Sequence, residues 1–275
     1  MKTKARESTL KTGDGIELFM SKSTVDRPAA AVVIVHGICE HSGRYDYVVS
    51  SLNKWGYSVY RFDNRGHGRS GGDKAFIDDF YLFIDDADRV VQTARNENPD
   101  IPIFMLGHSM GGLIAASYGV KHPDTLSGQI LSGPAAIVLP AVKGLVNFDY
   151  NAQARSPIPN SLSNVISRDP KVVQAYADDP LVHKEFTMKL MGEVFIRGAQ
   201  WLMDNMNSYA YPCLILHGGG DQIVTPDASR YLYEHISSTD KQMKIYDGLY
   251  HEILNEPERD TVLKDIHGWI EARIK

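Results

Sequence analysis

The sequence is poor in the features that mark several large classes of protein. Only two of its 275 residues are cysteine, Cys39 and Cys213. Two cysteines without metal-site spacing make neither a disulfide framework nor a metal centre, so we expect free thiols. The net charge is −5 and no run of lysine or arginine occurs, which excludes a nucleic-acid partner that needs a basic face. No apolar stretch is long enough to span a bilayer, and none follows the basic first residues as in a secretion signal, so we expect a cytoplasmic protein.

Short apolar runs of strand length alternate with runs of helical length along most of the chain. Continuous apolar runs of this kind are typical of strands buried on both faces of a parallel sheet. They occur at residues 30–35, 57–62, 101–106, 128–132, 213–217 and 242–246. The alternation predicts an α/β fold with a doubly wound, mostly parallel sheet. Near the start, Gly13-Asp14-Gly15 separates two strand-like segments and predicts a hairpin at one edge of the sheet.

The alternation stops between Pro134 and Tyr211. Prolines interrupt helical pieces there, at Pro140, Pro157, Pro159, Pro170 and Pro180, and we find no strand-like run in this part of the sequence. We therefore predict a helical cap, or lid, inserted at residues 135–210. The sheet domain would then consist of residues 1–134 and 211–275.

The segment Gly107-His108-Ser109-Met110-Gly111 has the form G-x-S-x-G. An apolar run of strand length precedes it and a helix-forming run follows it, which is the context of a nucleophile elbow. Glycines are expected on either side of the serine because a strand that reverses into a helix leaves no room for side chains there. Ser109 is therefore the predicted nucleophile, and the alternative is a glycine-rich turn with an incidental serine.

A serine hydroxyl needs a general base, and the base needs a carboxylate that fixes its tautomer. In an open α/β sheet these groups belong in loops at the carboxyl ends of strands. The loops after residues 213–217 and 242–246 supply Asp221 and His251, in the chain order Ser, Asp, His of α/β-hydrolases. Asp247 is the competing acid, and we favour Asp221 because a run of glycines leads into it.

An oxyanion hole requires two backbone N–H groups directed at the reacting carbonyl oxygen. One comes from the residue after the nucleophile, here Met110, and the other from the loop after the first central strand, where we choose Ile38. Five histidines near predicted strand ends raise the alternative of a metal site: His36, His41, His67, His108 and His217. We expect them to bind backbone groups instead, because no metal-ligand spacing is present. No metal and no cofactor is predicted.

Four segments together resemble the monoacylglycerol lipase and lysophospholipase branch of the α/β-hydrolases. They are residues 36–45 (HGICEHSGRY), 63–70 (DNRGHGRS), 107–112 (GHSMGG) and 178–182 (DDPLV). The resemblance implies an α/β-hydrolase fold over nearly the whole chain. It implies a triad of Ser109, Asp221 and His251, an oxyanion hole of Ile38 and Met110, and a place for Arg44 near a polar head-group pocket.

Apolar side chains at helical spacing, with methionines between them, fill the part of the predicted cap from Phe186 to Met206. Packing against the sheet domain is one explanation, and an adaptable acyl-chain tunnel that includes Met191 and Phe195 is the other. Apolar residues at 137–146 allow transient contact of the cap with a lipid surface.

The predicted function is hydrolysis of carboxylic esters, with monoacylglycerol as the favoured substrate and fatty acid and glycerol as products. The alternatives are a lysophospholipase, a general carboxylesterase, or a ligand-binding receptor on a hydrolase scaffold. The expected partner is a small lipid ester, and the sequence indicates no oligomeric state.

Overall fold

The apolar runs of the sequence form the central sheet of the protein. The computed structural model describes residues 3–274; the predicted sheet domain also included Met1, Lys2 and Lys275, which lie outside the described residues. The strands are β1 (Thr3–Lys11), β2 (Glu17–Val25), β3 (Ala30–Val35), β4 (Tyr57–Phe62), β5 (Ile103–His108), β6 (Gly128–Ser132), β7 (Pro157–Pro159), β8 (Glu185–Thr187), β9 (Cys213–Gly218) and β10 (Lys241–Tyr246). Eight of them form one sheet in the order β1-β2-β4-β3-β5-β6-β9-β10.

The strands of this sheet are antiparallel at one edge and parallel in the rest of the sheet. The hairpin β1-β2 is antiparallel, as is the pairing of β2 with β4, whereas β4, β3, β5, β6, β9 and β10 are parallel. A parallel pair needs a crossover connection, and helices supply most of the crossovers here. The prediction of a mostly parallel, doubly wound sheet with an edge hairpin is confirmed.

Helices cover both faces of the sheet. They are α1 (Asp46–Lys54), α2 (Tyr81–Glu97), α3 (Met110–Lys121), α7 (Asp227–His235) and α8 (Arg259–Glu271), while α4 (Pro170–Asp178), α5 (Met188–Gly192) and α6 (Ala199–Asn205) lie in the segment between β6 and β9. Alternate residues of β3 divide between two cores, as the period-2 geometry of a strand requires. Ala31 and Val33 join the core under α2, α3 and α7, and Val32 and Ile34 join the core under α1 and α8.

Helix α2 begins at Tyr81. Two hydrogen bonds fix this start: Asp79 Oδ1 accepts from the N–H of Tyr81, and Glu193 Oε2, far along the chain, accepts from the N–H of Phe80. These acceptors satisfy N–H groups that the first turn of a helix leaves unpaired. Ile77 and Phe80 are buried in the irregular turn that precedes the helix.

The segment from 135 to 210 lies outside the main sheet and is less regular than predicted. Contrary to the expectation of no strand, β7 and β8 form a two-stranded antiparallel sheet. Strands of three residues with prolines at both ends of one of them are too short to show an alternating pattern. Between α5 and α6 the backbone has π-helical hydrogen bonding over Glu193–Gly198, and Leu190, Val194 and other apolar side chains pack into the core above α2 and α3.

The cysteines and the longer helices are described within residues 3–274. Cys39 and Cys213 are free thiols, and both are buried. No helix in this part of the chain combines the length and the apolar character needed to cross a membrane.

Candidate active site

The candidate nucleophile, Ser109, lies between β5 and α3 in a strained backbone conformation. Its φ is 57° and its ψ is −118°, a combination that residues with a Cβ atom rarely adopt. The Ser109 N–H donates to the Ser132 carbonyl oxygen at 2.9 Å, and the Ser109 carbonyl accepts from Leu113 at 3.0 Å and from Ala135 at 3.2 Å. Three backbone bonds thus hold the strained residue at the end of the central strand.

Glycines beside Ser109 allow this reversal. A Cβ atom on Gly107 would lie 2.2 Å from the Gly111 carbonyl oxygen, and one on Gly111 would lie 2.1 Å from the Val35 carbonyl oxygen. Real Cβ atoms do not approach backbone oxygens this closely. The steric requirement inferred from the G-x-S-x-G pattern is present in the structure: β3, β5 and α3 meet too tightly for any side chain at these two positions.

Asp221 and His251 come together from the loops after β9 and β10. His251 Nδ1 donates to Asp221 Oδ2 at 2.6 Å, while Asp221 Oδ1 accepts from the N–H groups of Ile223 at 2.8 Å and Val224 at 3.0 Å. Burial opposes ionisation of Asp221, but the nearby histidines and their hydrogen bonds hold its pKa well below the ordinary range. Burial likewise opposes protonation of His251, yet the charge and hydrogen bond of Asp221 raise the His251 pKa above its usual value. An ionised acid paired with a basic imidazole is the arrangement that a serine nucleophile requires.

A second histidine, His217, also binds Asp221. Its Nε2 lies 2.7 Å from the Val224 carbonyl oxygen and 3.1 Å from Asp221 Oδ2. Both partners can only accept, so Nε2 carries the proton, and Nδ1 at 2.7 Å from Ser229 Oγ accepts from that hydroxyl. His217 is fully buried. His217 binds a backbone group as predicted, the Val224 carbonyl, and its contact with Asp221 has no counterpart in the sequence pattern.

The ring of His251 packs beside the elbow. Its centroid is 4.7 Å from that of His108, the neighbour of Ser109. Ser109 and His251 are each 4% exposed. Within residues 3–274, His251 makes its one side-chain hydrogen bond through Nδ1, so Nε2 is left for a proton from the reacting hydroxyl.

Asp247, the competing acid, occupies a different environment. It follows β10 in an exposed turn, and the carboxylate bound to His251 is that of Asp221. The geometry therefore pairs His251 with Asp221 and leaves Asp247 in contact with solvent.

The two backbone groups predicted for the oxyanion hole are available. Among the described residues, neither the Ile38 N–H nor the Met110 N–H donates to a protein acceptor. Met110 is the first residue of α3, where the helix leaves its N–H groups unpaired and the helix dipole favours negative charge. The N–H of Gly37, one residue before Ile38, is bound to Glu40 Oε1 at 2.6 Å, which fixes the loop that carries the second donor.

Arg44, predicted near a head-group pocket, lies in a buried ionic cluster. Its Nη1 donates to Glu40 Oε2 at 2.7 Å and to Glu252 Oε1 at 2.6 Å, and its Nη2 donates to Glu252 Oε2 at 2.7 Å. The guanidinium carbon also lies 4.7 Å from the centre of the Tyr176 ring. Most of its donors are occupied by protein, and contact with a substrate stays a prediction.

The predicted acyl-chain residues lie in the helical run of the inserted segment. Met191, in α5, is buried, and Phe195, in the π-helical turn, is half-buried against the core. A π-helical turn often marks a functional position. Their role in binding an acyl chain stays a prediction.

Three features define the class of this protein: the order of the strands, the nucleophile elbow, and an acid and a histidine in loops after later strands. The protein is an α/β-hydrolase. Residues 26–258 match the family model described as "Serine aminopeptidase, S33", and the chain belongs to this hydrolase family, Hydrolase_4.

Named relatives connect the chain to ester hydrolysis. A monoacylglycerol lipase of Mycolicibacterium smegmatis is 36% identical over 265 residues, which cover 94% of this chain and 95% of the relative. A phospholipase of Bacillus subtilis is 31% identical, covering 90% of this chain and 98% of the relative. The crystal structure of a monoacylglycerol lipase from Paleococcus ferrophilus superposes with a TM-score of 0.78 at 28% identity, covering 99% of this chain and all of that one. The protein is thus an ester hydrolase, and the receptor alternative is set aside.

Proposed function

We propose that this enzyme hydrolyses monoacylglycerols through an acyl-enzyme on Ser109. The observation that carries the proposal is the buried Asp221–His251 hydrogen bond of 2.6 Å, next to a serine whose strained backbone leaves it at the start of a helix. The sequence relatives named as monoacylglycerol lipases support the substrate. The resemblance of residues 36–45 to that branch points the same way.

In the proposed mechanism, Ser109 Oγ attacks the ester carbonyl carbon while His251 Nε2 takes the hydroxyl proton. Asp221 holds the proton on Nδ1 and stabilises the imidazolium that forms. The N–H groups of Ile38 and Met110 bind the oxyanion of the tetrahedral intermediate, and each such donor is worth about 3 kcal/mol in the transition state.

Collapse of this intermediate breaks the bond between the acyl carbon and the glycerol oxygen. His251 passes its proton to that oxygen and glycerol leaves. Water then gives its proton to His251 and attacks the acyl carbon, which releases the fatty acid and restores the Ser109 hydroxyl.

Residues 135–210 serve as the lid in this proposal, with Met191 and Phe195 against the acyl chain. One buried methylene contributes about 0.8 kcal/mol of gross transfer free energy, so kcat/KM should rise with chain length even after the chain is ordered. A covered pocket for one chain also disfavours triacylglycerols.

Two carboxylates give a matched test of the triad. Asp221→Asn should lower kcat by about 10⁴, the scale of losing the acid that fixes the histidine tautomer, while Asp247→Asn should be close to wild type. A fluorophosphonate probe should label wild-type protein and fail to label Ser109→Ala. Equal losses at both aspartates, or labelling that survives in Ser109→Ala, would contradict the proposed triad.

The substrate is tested by kcat/KM on monoacylglycerols of increasing chain length, on triacylglycerol and on lysophospholipid. The phospholipase among the relatives supports lysophospholipid as the second candidate. A higher kcat/KM on lysophospholipid would replace monoacylglycerol, and a flat chain-length profile would leave a small-ester hydrolase.

A further inference from the structure

A buried ionic cluster joins the two loops that carry the oxyanion donor and the general base. On one side, Glu40 Oε1 accepts from the Gly37 N–H at 2.6 Å and from the Tyr45 hydroxyl at 2.8 Å. On the other side, Glu252 directly follows His251 in the chain. Arg44 binds both carboxylates, Glu252 in a bidentate pair, so one guanidinium connects loops that are 208 residues apart.

These three side chains are shielded from water. The exposed fractions are 4% for Glu40, 10% for Arg44 and 5% for Glu252. Burial opposes the ionisation of Glu40, yet Arg44 and nearby histidines hold its pKa at about 2. Buried charges with several hydrogen bonds each are held in fixed positions, because loss of any partner leaves a charge uncompensated.

We propose that Arg44, Glu40 and Glu252 are positioning residues. They fix the loop after β3, which carries the Ile38 N–H, relative to the loop after β10, which carries His251. This inference rests on the proposed function, since it assigns the oxyanion donor to Ile38 and the base to His251. Arg44 then acts through Glu40 and Glu252 without touching the substrate, so its replacement should affect the hydrolysis of every ester equally. A head-group contact would favour esters that carry glycerol.

The cluster also sets part of the charge around His251. The groups that act on this imidazole are Asp221 from the loop after β9, His108 from β5, Glu40 from the segment after β3, and Glu252 beside it in the chain. Arg44 acts through Glu40 and Glu252. His217 acts through Asp221. Asp221, Glu252 and Glu40 all raise the pKa of His251, so removing one of these negative charges should lower that pKa. The acid limb, which is the fall of kcat/KM on the acidic side of its pH profile, should then move to lower pH.

Two variants separate geometry from charge. Arg44→Lys keeps the positive charge but cannot bridge two carboxylates in the same planar fashion. Since a displacement of about 1 Å can cost about 10²-fold in rate, we expect kcat to fall between about 10- and 100-fold, with the acid limb unmoved. Glu252→Gln keeps the side-chain shape and removes one charge, so its acid limb should move to lower pH.

The assay compares a monoacylglycerol with p-nitrophenyl acetate, which has no glycerol group, for wild type and both variants across pH. Arg69→Lys is the control, because Arg69 forms its bidentate pair with Glu7 at the exposed edge of the sheet. We expect Arg44→Lys to lower kcat on both esters by the same factor, and Arg69→Lys to change neither. Thermal unfolding checks that each variant is folded, and Glu252→Gln carries the test if Arg44→Lys does not fold.

Three outcomes would overturn the inference: an increase in KM restricted to monoacylglycerol, unchanged kcat on both esters, or an acid limb that stays in place in Glu252→Gln. Failure of the proposed function looks different, because the wild-type protein would then resist the fluorophosphonate probe.

Discussion

Backbone strain at Ser109 predicts that removing its side chain stabilises the protein. A residue with a Cβ atom held in a sparsely populated region costs about 1–3 kcal/mol, and Ser109 has a φ of 57° and a ψ of −118°. Glycine adopts such angles without this cost but loses about 0.5–1 kcal/mol through the entropy of the unfolded chain. Ser109→Gly should therefore gain about 1 kcal/mol, or ~2–4 °C in Tm for a chain of this size.

Ser109→Ala is the matched control because it also removes the hydroxyl but keeps the Cβ atom and the strain. The free energy of unfolding should be measured by urea denaturation for both variants and the wild type, with Tm from calorimetry. Both variants should be inactive, and Ser109→Gly should be the more stable of the two. If Ser109→Gly is less stable than Ser109→Ala, the strained serine costs nothing measurable and the argument from its dihedral angles fails.

Other predictions concern the thiol and the inserted segment. Burial raises the pKa of the Cys39 thiol to about 12, so maleimide at neutral pH should modify Cys39 in urea and leave it unmodified in the folded protein. Mass spectrometry measures this modification, and equal rates in both conditions would contradict the burial. Glu193→Gln should lower the free energy of unfolding by about 1–3 kcal/mol, because the buried carboxylate accepts hydrogen bonds from Lys189, Arg197 and the Phe80 N–H. The exposed Glu185→Gln is its control, and equal stability of the two variants would refute a role for Glu193 in holding the segment.

Most of the sheet could be predicted from the sequence because a strand that is buried on both faces appears as a continuous apolar run. The runs at 30–35 and 57–62 became strands with the predicted bounds. The tight turn at Ser109 could also be predicted, because its glycines occupy positions where a Cβ atom would collide with the backbone. Each of these features is local, and a local pattern is enough to specify it.

Long-range polar pairing could not be predicted in the same way. Periodicity indicates that a side chain is buried, whereas the partner of a buried charge depends on how distant loops meet. The sequence around Arg44 does not indicate that this residue binds Glu252, which lies 208 residues away in the chain. The contact of His217 with Asp221 is hidden for the same reason, and the π-helical turn at Glu193–Gly198 has the same apolar spacing as an ordinary helix.

The order of the strands has a consequence for how the protein is made. The nucleophile elbow forms from contacts within β3, β5 and α3, all in the first half of the chain. Asp221 follows β9, which pairs with β6 only after residues 133–212 have been bridged, and His251 follows β10, which pairs with β9. During synthesis the proposed nucleophile is therefore made before the proposed acid and base. In the proposed mechanism hydrolysis requires β9 and β10 to be in place, so activity reports that this edge of the sheet has formed.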